Sequence, residues 1–364
     1  VITQNRAIDF GNKEIDGTQY NKPIFEVLRL SVQYFHITLQ YTRGDVSLNQ
    51  VSAKRSELQS AMQSVEAQHV KFAASMDDSE KWNALQTAWQ PVSGSPLSTE
   101  DALKKFPAFI QSVIDLNNLI GDSSNLILDP DLDTYYLMDT TLLRLVSLIN
   151  IVGKIQMEGD TVLFSTTPSA SEVSDVIELT TILKYESDQC QKSLTSALRA
   201  NPSLADSLKG QGEKLGAFVQ DYSSYVRSLT RDGDKSRGEF SQKSERLATL
   251  IHEYYSVALT NQQALLEKRI VSFRREQILS IGAVAFTSFF TLLVQILIIF
   301  SITRPLYSMT ERMKDLAKGD ADLTIRVEQS SNNELGKLGL SLNSFMENLA
   351  SLILQIRAAS AESR

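Results

Sequence analysis

The chain has 364 residues, 42% of them hydrophobic, with 36 Lys and Arg against 43 Asp and Glu, for a formal net charge of -7. That apolar fraction excludes a disordered chain, and the acidic balance excludes nucleic-acid binding by bulk electrostatics. The 8 prolines and 16 glycines are few for a chain rich in turns and favour long helices, while the single Cys190 excludes an intramolecular disulfide framework and offers no metal cluster.

In chain order, Pro23, Pro91, Pro96, Pro107, Pro130, Pro168, Pro202 and Pro305 divide the sequence. The apolar spacing between them predicts helices over 99–121, 130–164, 170–200 and 203–230, with few strand-like alternations. "PVSGSPLSTED" reads as a loop with Ser98 or Thr99 opening the next helix, and "STTPSASEV", "ANPSLADSL" and "TRDGDKSRGE" read as further turns. Trp82 and Trp89 share a helical face and read as core, and His36, His69 and His252 read as separate packing or helix-surface residues. From Asp234 to Thr303 no proline intervenes, which allows one helix of roughly 70 residues and about 100 Å. Leu247, Ile251, Tyr254, Ala258, Asn261 and Leu265 step along it by three and four, the seam of a bundle. The residues before the apolar span exceed one short four-helix bundle, so two helical modules stacked end to end are expected.

"DSSNLILDPDLDTYYLMD" combines carboxylates and tyrosines. Asp129, Asp131 and Asp133 open with calcium-loop spacing, but Thr134 stands where that loop needs Gly, Thr140 where it needs Glu, and Pro130 falls between the first two aspartates. A helix start fits better, with Asp129 as N-cap and Pro130 in the first turn. A regular helix then places Asp131, Tyr135 and Asp139 on one face, with Tyr136 beside them and Arg144 able to turn inward. Two readings stand: a pocket for a small polar ligand lined by these five residues, or a capped helix whose tyrosines pack in the bundle.

From Gln277 to Thr303 no charged residue occurs, and "ILSIGAVAFTSFFTLLVQILIIFSIT", about 26 residues, exceeds the roughly 30 Å hydrocarbon core as a helix. It reads as a transmembrane helix; Gln295 within it is either an interhelical hydrogen-bonding group or a tolerated amide. "KRIVSFRRE" before it is expected at lipid headgroups. Four Lys and Arg flank the span within about 20 residues on either side, so charge alone leaves its orientation open. Beyond it, Leu306, Met309, Met313 and Leu316 form a short amphipathic stripe, and Gly319 ends it. Leu323, Ile325 and Val327 then alternate in an extended connector. A second helix follows, carrying Leu335, Leu338, Leu342, Phe345, Leu349, Leu352 and Ile356, capped by Asn332 or Asn333 with Glu334 at its positive end.

The stretch "TRPLYSMTERMKDLAKGDADLTIRVEQSSNNELGKLGLSLNSFMENL" resembles a HAMP domain, the module that forms a parallel four-helix coiled coil from two chains in bacterial chemoreceptors and sensor kinases. The resemblance implies signal-relay roles for Pro305, Gly319, Leu323, Val327, Glu334 and Leu335, and it implies a cytoplasmic location for this module. The phrases "LDPDLDTYYLMD" and "KEIDGTQYNKPIFEVL" are similar to ones in helical extracytoplasmic sensor regions, loosely the helical bimodular class.

The expected fold is all-α: an extracytoplasmic two-module helical sensor domain (1–277), a transmembrane helix (278–303), a HAMP domain (304–350) and the start of a signalling helix (351–364). A sensor region without a visible signal peptide needs a preceding membrane helix to carry it across, and both chain ends read as cut from a longer protein. The resemblance implies a chemotaxis receptor in the bacterial inner membrane, with the sensor domain periplasmic. Its implied partners are a second copy in a homodimer, a small-molecule ligand or periplasmic binding protein, membrane lipid, and a cytoplasmic kinase and adaptor acting through a domain beyond Arg364. No nucleic acid, cofactor or metal is implied. The alternative is a histidine kinase or diguanylate cyclase whose catalytic domain lies beyond Arg364. Within these residues no nucleophile, base and orienter set or phosphate loop is visible, so no enzymatic activity is expected of them.

Overall fold

The computed structural model describes residues 2–165, 167–231, 236–318, 322–327 and 333–362. These form α-helices joined by short 3-10 and π turns, with no strand among the described residues, and divide into two units, Val1–Arg275 and Glu276–Arg364.

The first unit opens with α1 (Ile2–Arg43), α2 (Leu48–Met76), α3 (Ser79–Trp89) and α4 (Thr99–Ser123). Helices α5 (Leu132–Met138) and α6 (Leu145–Val162) are joined by a π turn, Asp139–Arg144, and α7 (Ala170–Ala200), α8 (Ala205–Leu229) and α9 (Arg237–Ile298) complete the set. Helix starts follow local side-chain chemistry. Ser47 and Gln50 form a reciprocal capping box at α2, Ser169 and Glu172 form another at α7, and Ser98 accepts from Asp101 N–H at α4. Each satisfies amide donors that the first turn cannot pair internally.

Three expectations are corrected here. Pro23 does not divide the chain but lies inside α1, whereas Pro107 lies inside α4, within the helix expected over 99–121. An interior proline costs ~3 kcal/mol, which is offset where its neighbours are buried, as Ile24, Phe25, Val27 and Leu28 are. Second, the helix after Pro130 starts at Leu132 with Asp131 at its N-cap position. Asp129 turns away from the cap to accept from Asp131 N–H (3.0 Å) and Thr134 Oγ1 (2.8 Å).

Third, the helices of this unit lie side by side and are not two modules stacked end to end. At one end Thr99 Oγ1 meets Thr42 Oγ1 (2.9 Å), and Asp160 forms ion pairs with Arg43 and Arg237. At mid-length Phe35 stacks on Phe106 (4.8 Å between centroids), Gly153 backs onto Val32, and Tyr222 bonds Ser244 (2.7 Å). At the other end Gly17 faces Ser124, Asn201 bonds Asp133 (2.9 Å) and Arg269 bonds Glu14 (3.0 Å). Helices α1, α4, α6 and α9 therefore span the same height, with α1 contacting both halves. Periodicity names which face is apolar, not whether two groups of helices abut laterally or axially.

The expected seam on α9 is buried at Leu247, Ile251, Tyr254 and Ala258, then moves to Gln262, Leu266 and Ile270. Trp82 and Trp89 pack as core aromatics, Trp82 against His69 (5.1 Å) and Trp89 against Phe109 (5.2 Å). Among the described residues, two segments are long and apolar enough to cross a membrane: Leu132–Val162, 72% buried, and a window within Arg237–Asp315, 0% buried. The first is thereby a core helix of the bundle. The second exposes an unbroken apolar surface that water disfavours.

In the second unit, α9 passes through a π turn (Ile299–Thr303) into α10 (Arg304–Lys318), and α11 (Glu334–Glu362) follows the connector.

Candidate functional site

Where α1, the 124–131 connection and α9 meet, Arg269 turns inward. It was expected among the headgroup-facing residues of "KRIVSFRRE"; instead its side chain is 9% exposed, and three carboxylates converge on it. Nη1 reaches Glu14 Oε2 (3.0 Å), Nη2 reaches Asp129 Oδ1 (2.7 Å) and Nε reaches Asp131 Oδ2 (2.6 Å). Burial and the neighbouring Asp129 push the Glu14 carboxyl up to about 8, although Arg269 pulls the other way. Glu14 Oε1 and Asp129 Oδ2 are buried without a donor, and the two carboxyls lie within hydrogen-bonding reach of each other. A proton on the Glu14 carboxyl would give these oxygens a donor, in the direction of its raised pKa.

The five sequence-expected ligand residues separate. Asp131 joins the Arg269 cluster. Asp139 lies 8% exposed and accepts from Arg144 Nε (3.2 Å) and Ser193 Oγ, while Arg144 Nη1 also reaches Glu186 Oε2 (3.2 Å). Tyr135 is exposed and Tyr136 half-buried, their rings edge to face at 5.3 Å. Asp131 parts from the others ahead of the π turn, at the N-cap position of α5, where Arg269 holds it. The π turn adds a residue to one turn and so shifts the positions after Asp139 around the helix axis, and Arg144 still reaches Asp139. Asn117 Nδ2 donates to Leu142 O within that turn (3.1 Å), and Thr141 Oγ1 bonds Gln262 Oε1 (2.9 Å). Asp139, Arg144, Glu186 and Ser193 thus tie the start of α6 to α7, and no cavity described below draws on them.

A cavity of about 470 Å³ opens between α1, α2 and α9, with Gln19, Lys22 and Glu26, then Gln68, then His252 and Tyr255 on its walls. Its apolar floor is built on the Phe25–Tyr255 stack, 3.7 Å between centroids and 5° from parallel. The Tyr255 hydroxyl donates to Asn21 O (3.2 Å), which holds the ring. Glu26 accepts from Arg29 Nε (2.9 Å) and contacts His252 Nε2 (3.3 Å). Burial raises its pKa, but those partners outweigh it and hold the carboxyl down at about 2. The sequence signal for this cavity was Pro23. A proline inside a helix leaves the carbonyl four residues earlier without its amide donor, and that residue, Gln19, lines the same wall. Treated as a helix boundary, Pro23 concealed the polar group around it.

In the second unit, Pro305 occupies the second position of α10, immediately after the π turn. It has no amide hydrogen for the Ser301 carbonyl, and the wider turn carries the chain through without a break. Gly319 lies outside the described residues. Leu323 is half-buried, and Val327, 7% exposed, is clamped by Asn343: Val327 N–H donates to Asn343 Oδ1 (2.8 Å) and Asn343 Nδ2 donates to Val327 O (3.0 Å). Asn343 was not singled out in the sequence, because an amide inside an apolar heptad reads as a surface position. Asn333 Oδ1 accepts from Leu335 and Gly336 N–H (3.2 and 3.3 Å) and so caps α11; Asn332 lies outside the described residues. Glu334 is exposed in the first turn, where its charge complements the helix dipole, and Leu335 is half-buried. Helices α10 and α11 leave an apolar cleft of about 550 Å³ lined by Leu306, Met309, Met313, Leu338, Leu342 and Phe345.

Residues 297–351 match the HAMP domain family, which fits the proline, connector and capped second helix just described. The chain is also similar to methyl-accepting chemotaxis proteins. It is 38% identical over 66 residues to McpG of Pseudomonas putida, covering 18% of this chain and 11% of that protein. It is 29% identical over 108 residues to TlpQ of Pseudomonas aeruginosa, covering 29% and 15%, and 39% identical over 56 residues to CtpM of the same species, covering 15% and 10%. The chain thus spans between a tenth and a seventh of the length of these curated relatives. No solved structure matches. The molecule is an all-α protein that carries a HAMP domain after an exposed apolar helix.

Proposed function

We propose that this protein is a transmembrane chemotaxis receptor, in which the 1–275 bundle senses a small molecule outside the cytoplasm and the HAMP domain relays the change to a signalling domain beyond Arg364. The observation that carries this is α9. It is packed in the bundle core at Leu247, Ile251, Tyr254 and Ala258, becomes exposed and largely apolar from Ile278, and continues through the π turn into the first HAMP helix. A shift or rotation of α9 at the sensor end is therefore delivered to α10 without an intervening loop. Two copies would pair through the α10–α11 clefts, the arrangement that gives each apolar face a partner. The names of the relatives favour this non-enzymatic reading over the kinase or cyclase alternative.

Intact-cell labelling with a membrane-impermeant maleimide tests it. Cys190 is buried and contributes little signal. The exposed positions Val70 and Leu354, each changed to Cys, report the two sides. Val70→Cys is expected to label in intact cells and Leu354→Cys only after lysis. Labelling of both, or of neither, before lysis would overturn the reading.

A further inference from the structure

A smaller cavity, about 160 Å³, opens between α1, α2, α6 and α9. Two of its lining side chains, His36 on α1 and Gln156 on α6, are 5% and 4% exposed, and neither has a hydrogen-bond partner among the described residues. Burial and the nearby charge of Arg43 hold the His36 imidazole down at about 4, so at pH 7 it is neutral, with one donor and one acceptor. The Gln156 amide likewise offers both. A buried polar group without a partner destabilises the fold, and an apolar side chain of the same size in its place does not. The bundle by itself therefore gains nothing from these two groups, whereas an occupant that both donates and accepts satisfies them.

Charge narrows the class of occupant. Lys54 is engaged by Glu57 Oε2 (2.6 Å) and Gln33 Oε1 (3.3 Å), and Glu245 is exposed at the solvent side of the cavity. The buried side thus holds no free charge, and an ion taken into it would exchange its hydration for neutral partners alone. Shape narrows the class further. An amide side chain sets its carbonyl and NH2 side by side in one plane, so an edge with an N–H beside a carbonyl pairs with both at once, whereas a lone hydroxyl pairs with one. His36 calls for a second polar edge on the same molecule. A cavity of about 150 Å³ holds one benzene ring, and Ile37 and Ala248 offer a ring apolar surface. We propose that this cavity binds a free, uncharged pyrimidine base, with one N–H and carbonyl edge on the Gln156 amide and a further carbonyl or N–H on His36. The site deepens the receptor reading and rests on it only for the consequence of binding, since an occupant bridges α6 and α9.

The test is isothermal titration of the full chain in lipid nanodiscs with uracil, thymine and cytosine. The comparators are 1,3-dimethyluracil, which lacks both N–H groups, 2-piperidone, which has a single such edge, and orotate, which adds a carboxylate. At least one base is expected to bind, at least tenfold tighter than any comparator. Gln156→Leu and His36→Leu are each expected to weaken it more than tenfold, while the melting temperature without ligand stays level or rises, because each removes an unpartnered polar group from the interior. Tyr135→Ala, outside the cavity lining, leaves binding unchanged. Binding by none of the three bases, binding of a comparator as tight as the best base, or indifference to both substitutions would overturn the proposal. So would a fall in melting temperature in both leucine variants, which would give these side chains a partner within the protein. Base binding that persists while maleimide labelling puts Val70→Cys and Leu354→Cys on one side would leave the site standing and remove the receptor reading instead.

Discussion

Glu14 and Glu26 sit on the same helix, and their surroundings drive their acidities in opposite directions, which gives the bundle a pH profile with two limbs. Glu14 is pushed up to about 8 by burial and by Asp129, so between about 4.5 and 8 the folded chain holds a proton that the unfolded chain has released. Its contribution is fully present below 4.5 and is lost as pH rises through 8. Glu26 is held down at about 2 against its burial, chiefly by His252 and Arg29, so its contribution is present above 4.5 and is lost as pH falls toward 2. Thermal melting of the protein is therefore expected to peak in mild acid and decline toward pH 8, and Glu14→Gln is expected to flatten the alkaline limb alone. An unchanged alkaline slope in that variant would show that Glu14 does not hold the proton. Arg269 belongs to the same cluster, and Arg269→Ala leaves Asp129 buried without its cation. Removing one partner of a buried pair costs about 3–5 kcal/mol, so this variant is expected to melt well below the parent at pH 7, and in part to recover when Asp129 is also changed to Asn.

At the scale of elements, the connector of the second unit depends on one side chain. Asn343 both accepts from and donates to Val327, so the strand-like segment is fastened to α11 by a two-point clamp. Asn343→Leu keeps the volume and loses both bonds, leaving two buried backbone groups of Val327 unpaired at about 1–3 kcal/mol each. Faster hydrogen exchange at the 322–327 amides, with the α10 and α11 amides little changed, is the expected reading. Close packing governs the bundle too: at Gly17 any side chain would overlap Ser124 and Leu126, so Gly17→Val is expected to separate α1 from the 124–126 connection and lower the melting temperature. These elements also show which features the sequence makes legible. The α9 seam from Leu247 to Ala258, the caps at Ser98 and Ser169 and the HAMP pattern follow from spacing and side-chain chemistry, which are local. The π turn at Asp139–Arg144 does not, because no residue type announces it, and it shifts the positions after Asp139 around the helix axis. The inward turn of Arg269 was hidden for a related reason: its three carboxylates come from positions 14, 129 and 131, and only the tertiary fold brings them together.

At the scale of the whole molecule, the HAMP half-bundle poses a problem that one chain does not solve. Met309 and Met346 are buried between α10 and α11, but Leu306, Met313, Leu338 and Phe345 line or flank an open cleft and remain close to half exposed. Two helices expose too much of their apolar stripe for water, and the four-helix arrangement expected for this domain closes the stripe with a second copy. If the cleft is that seam, a charge placed in it must be desolvated on pairing, which costs several kcal/mol and disfavours the dimer by more than a hundredfold. Phe345→Glu is accordingly expected to abolish oxidative cross-linking between copies that carry Leu338→Cys, whereas Tyr307→Glu, on the exposed side of α10 and outside the cleft lining, leaves cross-linking intact. Neither substitution touches the sensor bundle, so ligand binding measured in residues 1–275 of the same full chain should persist in both. Cross-linking that survives Phe345→Glu would mean that the copies meet elsewhere, and that the apolar cleft of α10 and α11 is covered by something other than its twin.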